Sequence, residues 1–64
     1  MFVVTTSKDG RVYYLKEIVT NDNGGNTQFY WTTVKSEAIE FISRHIAEKW
    51  LKVLGRTGTA VEQK

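Results

Sequence analysis

Residues 36–55, S-E-A-I-E-F-I-S-R-H-I-A-E-K-W-L-K-V-L-G, decide how this chain folds, because they read either as one helix or as a turn followed by a helix. Taken as one helix over 37–54, at about 100° per residue, Ile39, Ile42, Ile46, Trp50, Val53 and Leu54 form an apolar stripe. Phe41 then falls on the charged face among Glu37, Arg44, Glu48 and Lys52, and Ser43 falls inside the stripe. Both conflicts disappear if 36–41 is a short turn that plugs Phe41 into the core. Ser43 then caps a separate helix, 43–54, by offering its hydroxyl to the unpaired N–H groups of the first turn. In that helix Ile46, Ala47, Trp50, Leu51, Val53 and Leu54 make the buried side, and Gly55 stands where a left-handed C-terminal residue belongs. The broken version is the one adopted here, and an exposed Phe41 on one uninterrupted helix would overturn it.

Upstream, the chain reads as strands. Residues 2–7 are rich in β-branched side chains, Asp9-Gly10 is a pair favoured in two-residue hairpin loops, and R-V-Y-Y-L-K-E-I-V returns. With Asp9-Gly10 as the loop of a hairpin over 2–19, Lys8 faces Arg11, Thr6 faces Tyr13, Val4 faces Leu15 and Phe2 faces Glu17. Alternation then puts Phe2, Val4, Tyr13 and Leu15 on a core face, and Val3, Thr5, Val12, Tyr14 and Lys16 on the other. An Asn/Asp/Gly-rich loop follows over 20–27, then an aromatic strand over 28–33. Residues 59–62 are a short last strand or a frayed tail. The expected fold is α+β: a single domain, 1–64, with a small antiparallel sheet of three or four strands packed on one principal helix.

Sixty-four residues, 41% hydrophobic and 25% charged, suit one such domain. A chain of this size buries only about 60% of the surface its unfolded form exposes. It has no cysteine and one histidine, so neither disulfides nor a structural zinc site can supplement the core. A partner, including a second copy of the chain in a homodimer, would supply the missing burial. The formal charge of +2 permits nucleic-acid binding without demanding it. No apolar run is long enough to span a membrane. The first residues lack a basic and apolar leader pattern, so a cytoplasmic location is expected.

Much of the pattern resembles short phage and prophage accessory proteins of hairpin-strand-helix type. The residues that carry the likeness are Tyr14-Leu15, Tyr30-Trp31-Thr32, Ala38-Ile39-Glu40-Phe41, Ser43 and Ala47. These are structural positions, and no catalytic or binding residue comes with them. The resemblance implies a small protein that binds a host or phage macromolecule, typically to inhibit a host enzyme or a defence system. The long loop at 21–26 departs from the tighter connection of the type.

Chemistry is sparse. His45 has no cysteine to pair with and sits in the first turn of the expected helix, where exposure is ordinary. The seven acidic residues are scattered, and so short a chain has little room for a substrate pocket of the usual size, about 300–1,000 Å³. No enzyme, cofactor or metal site is therefore expected. Asn21-Asp22-Asn23-Gly24 fails as a calcium loop, since Gly24 at its sixth position puts Val19 first and Tyr30 twelfth, where a carboxylate is needed. Aromatic residues carry the clearest signal. If Phe29 and Trp31 join Tyr13 on the helix side, the open sheet face holds Val12, Tyr14, Lys16 and Tyr30, with Val3 and Ile18 beside them.

That open face suits a protein partner, because tyrosine combines an apolar body with a polar tip. It also suits single-stranded nucleic acid, through base stacking, and the plain alternative is that the tyrosines only cover the sheet. Lys49, Lys52 and Arg56, near the end of the helix, are the candidate phosphate contacts on the nucleic-acid reading. A solvated helix face explains them equally well.

Overall fold

In the computed structural model of the chain, residues 1–21 and 25–64 are described. Residues 22–24, in the middle of the loop expected over 20–27 and of the rejected calcium loop, lie outside the described residues. The elements are β1 (Phe2–Lys8), β2 (Arg11–Thr20), β3 (Thr27–Thr32), a 3₁₀ turn (Lys35–Glu37), α1 (Arg44–Leu54) and β4 (Thr59–Gln63). Among the described residues the four strands form one antiparallel sheet in the order β3-β2-β1-β4, and α1 packs on one face of it. Residues 59–63 are thus a strand and not a frayed tail.

The first hairpin follows from its turn. Asp9 and Gly10 adopt φ of 54° and 78°, the paired left-handed conformation of a two-residue loop whose twist matches the flanking strands. It sets Lys8 opposite Arg11, Ser7 opposite Val12, Thr6 opposite Tyr13 and Thr5 opposite Tyr14. There the β1–β2 ladder stops. The expected pairs Val4–Leu15 and Phe2–Glu17 do not form, because β2 carries a bulge against β3 between Leu15 and Glu17 and leans away from β1.

The segment after the 3₁₀ turn fills the gap. The Ile39 N–H donates to the Leu15 carbonyl at 2.9 Å, and Phe2 and Phe41 exchange two backbone hydrogen bonds of 2.8 Å. Only Lys35–Glu37 is helical in this region, and Phe41 is bridged to β1 as extended chain. The half-buried Phe41 side chain packs against the core cluster.

The bulge also reverses the alternation of β2. Before it, Leu15 points to the helix; after it, Ile18 does, opposite Phe29. Ile18 therefore belongs to the core side and not to the open face. The core has Val4, Leu15 and Ala47, all fully buried, at its centre, with Phe2, Phe29, Trp31, Leu51, Leu54 and Val61 around them.

Helix α1 begins at Ser43, whose Oγ accepts the His45 N–H at 3.1 Å, and ends at Gly55, which has φ 60°. Its buried side is narrower than the sequence stripe. Ala47 is the point of closest approach, and Trp50 meets Phe29 edge-on at 6.2 Å between ring centres. Ile46 and Val53 fall about 100° or more around the helix from Ala47 and stay 46% and 59% exposed. Neither is the core residue that the stripe made it.

The opposite sheet face is not fully open. Val3 is completely buried and Thr5 nearly so. Both point away from the helix, on the face crossed by a strap that the 3₁₀ turn and its flanks form. Glu37 accepts from the Thr32 hydroxyl at 3.2 Å and lies 3.9 Å from the Lys16 ammonium. Lys35 reaches Glu62, the strand partner of Val3, at 2.8 Å. The strap thus ties β3 to β4 across the sheet. The hydrogen bond to Glu62 holds the Lys35 ammonium above the ordinary lysine value of 10.5; loss of solvent opposes it, and the Glu62 charge and Tyr14 add to it.

Candidate functional site

The outer sheet face carries the four candidate partner contacts, but the strap divides them. Val12, at the hairpin end, is 47% exposed, and Tyr30, toward the other end, is also 47% exposed. Tyr14 is half-buried in the row it shares with Thr32, where the strap crosses. Lys16, the bulged residue, is exposed and engaged by Glu37. Roughly 16 Å of strand separates Val12 from the row of Tyr30. The structure therefore groups Tyr14 and Lys16 at the strap and leaves Tyr30 with Val19 as the apolar patch beyond it. The Tyr30 hydroxyl donates to Gln28 Oε1 at 2.9 Å.

Tyr30 belongs to β3, and β3 is an edge. It pairs with β2 on one side, and among the described residues nothing pairs with it on the other. Its sequence, T-Q-F-Y-W-T, contains no charge and no proline. Edge strands are commonly blunted by lysine, proline or a bulge, because their free N–H and C=O groups recruit other strands. Here the bulge is on β2 and the edge itself is bare. Strand β4, the other edge, is shorter and carries Glu62.

The candidate phosphate contacts are not brought together. Lys49 and Lys52 border a shallow hollow of about 310 Å³ with His45, Glu48 and Leu51, and the Glu48 carboxylate offsets their charge. Arg56 lies elsewhere, its guanidinium carbon 5.8 Å from the centre of the Trp31 ring.

Arg56 instead borders a cavity of about 240 Å³ at the hairpin end of the helix-side face, with Thr6, Lys8, Tyr13 and Trp31. Register alone places Thr6 beside Tyr13. The contribution of Arg56, some fifty residues on, depends on where the helix ends and has no sequence signal.

Thr6 is 3% exposed and its Oγ1 has no hydrogen-bond partner among the described residues. An unsatisfied buried hydroxyl costs about 1–3 kcal/mol. The isosteric Thr6→Val removes that cost and keeps a β-branched strand residue. It is expected to raise stability by about 1 kcal/mol, read as a higher urea midpoint at unchanged slope.

Among the described residues, no three His, Cys, Asp or Glu side chains are grouped to hold a metal ion. No helix among them is long and apolar enough to cross a membrane. Compared with protein-family models, with curated proteins and with solved structures, the chain matches none.

Proposed function

We propose that the chain is a non-enzymatic accessory protein of the phage kind, which binds a host protein in the cytoplasm and modulates it, in the first place by inhibition. The bare, uncharged aromatic edge of β3 carries this reading. An extended segment of the partner adds to that edge as a fifth strand, its main chain supplying the pairing and Tyr30 with Val19 the apolar contact. The resemblance to phage accessory proteins supplies the setting, host takeover or interference with a defence system. Stacking of single-stranded nucleic acid on the outer face has less support, since the strap covers part of Tyr14 and Glu37 occupies Lys16.

Tyr30→Lys tests the proposal, because a lysine on an edge strand opposes strand addition while the exposed position tolerates it. Wild type and variant are used side by side to retain proteins from a bacterial host lysate. The variant is expected to lose the partner that wild type retains, with a drop of about 2 kcal/mol, or some thirtyfold in affinity, and an unchanged circular dichroism spectrum. Equal retention by both refutes the reading. Sedimentation of the chain alone is expected to show a monomer. A dimer that Tyr30→Lys dissolves would put a second copy, and not a host protein, on the edge.

A further inference from the structure

We infer that the cavity bordered by Thr6, Lys8, Tyr13, Trp31 and Arg56 is a binding site for a nucleoside monophosphate group. It lies on the helix side of the sheet, whereas Tyr30 and Val19 point to the other side, so the inference stands apart from the strand-addition reading.

Charge comes first. Among the described residues no carboxylate borders the cavity, whereas two cations do. Neither Lys8 nor Arg56 belongs to an ion pair among the described residues, although Lys16, Lys35 and Lys64 each have an acidic partner. Two unpaired cations at one cavity match a phosphate dianion. The planar guanidinium suits bidentate contact with phosphate oxygens, and the ammonium acts as a point charge beside it.

The remaining walls are aromatic. Tyr13 and Trp31 come from adjacent strands and share the helix-side face, and both are only half-buried. Part-exposed rings can accept a flat base by stacking, without regard to its identity, and at Trp31 the base would share the ring with Arg56. Arg56 already lies against Trp31, so the cation that would meet the phosphate is held next to the ring that would meet the base.

Size restricts the ligand further. The volume of about 240 Å³ is below the usual range for drug-sized ligands, about 300–1,000 Å³. One nucleotide unit is of about this size, and the open side leaves the rest of a longer strand outside.

A free mononucleotide and the phosphorylated end of a nucleic-acid strand present the same chemistry. The test titrates adenosine 5′-monophosphate, adenosine, inorganic phosphate, and a short thymidine oligonucleotide with and without a 5′-phosphate. The indole N–H resonances of Trp31 and Trp50 are followed and assigned with Trp50→Phe. A saturable shift at Trp31 is expected with the phosphorylated probes, and adenosine and phosphate alone should each bind at least about tenfold more weakly. Tighter binding of the phosphorylated oligonucleotide than of the mononucleotide would identify a strand end as the source, and the reverse order a free nucleotide.

Lys8→Ala with Arg56→Ala should weaken binding by a further factor of about ten or more, with the melting temperature lowered by only a few degrees, since both side chains are exposed and only the contact of Arg56 with Trp31 is lost. Arg56→Gln, which keeps much of the stem over Trp31, should lose most of the binding as well. The inference is overturned by no shift at Trp31 with any phosphorylated probe. It is equally overturned by a response as strong to adenosine, or by one that survives loss of both cations. Tyr30→Lys should leave the titration unaltered, so the two readings fail independently.

Discussion

Leu15→Ala is expected to lower the stability of the domain by about 3–5 kcal/mol at 25 °C, a large part of its total. Leu15 is the largest of the three fully buried residues at the centre of the core, with Val4 and Ala47. Truncating such a leucine costs about 3–5 kcal/mol, because the lost transfer energy is joined by the energy of the cavity left behind. Little can move in to close that cavity. Ala47 has no side chain to extend, and the Leu15 carbonyl is pinned by the Ile39 N–H. Against this, 64 residues at the usual stability per residue amount to roughly 3–10 kcal/mol. Urea titration followed by circular dichroism reads the change, with Val12→Ala on the exposed outer face as the control, expected within about 0.5 kcal/mol of wild type. A loss below about 1 kcal/mol for Leu15→Ala would show that the core is not centred on this residue.

Phe41→Ala is expected to have the second largest effect, about 2–4 kcal/mol, somewhat below the usual value for a fully buried phenylalanine because the ring is half-exposed. Its consequence is also local. Phe41 anchors the chain that enters the gap between β1 and β2, and its backbone is bonded in both directions to Phe2. Without the ring, the amides of Phe2, Ile39 and Phe41 should exchange with solvent well before those of Thr5, Thr6 and Tyr13 in the intact part of the ladder. The strap that crosses the outer face should loosen with them. If Phe41 lay on the outside of one uninterrupted helix, the same substitution would change stability by only a few tenths of a kcal/mol. The pair of measurements therefore distinguishes the two readings of residues 36–55.

Much of this architecture is legible residue by residue. Asp9-Gly10 sets its hairpin because few residue pairs adopt two consecutive left-handed conformations so readily, and the register next to the turn follows by counting. Ser43 and Gly55 mark the helix because the unpaired backbone groups at its ends require a cap and a left-handed exit. Misplaced Phe41 reveals the break before the helix, since a large aromatic is costly to leave among charges. Of the candidate site, Tyr30 and Val12 are exposed on the outer face that strand alternation assigned to them.

The parts that were not legible depend on contacts between distant segments. A single extra residue at Lys16 inverts every later position of β2, which moves Ile18 to the core. No composition or spacing in R-V-Y-Y-L-K-E-I-V announces that bulge. It arises where β2 must leave β1 to admit Ile39 and Phe41.

By itself, then, the sequence determined the elements whose causes lie within a few residues: the two-residue turn, the strand and helix periods, the caps and the α+β class. The tertiary structure decided which surfaces those elements leave free. Val3 is buried although it points away from the helix, and Val53 is exposed because Ala47 sets the rotation of the helix. Lys8 meets Arg56 at one cavity because the chain end of the helix comes to rest over the hairpin. Each of these depends on side chains tens of residues apart competing for the same small core, and that competition is settled only when the whole chain has packed.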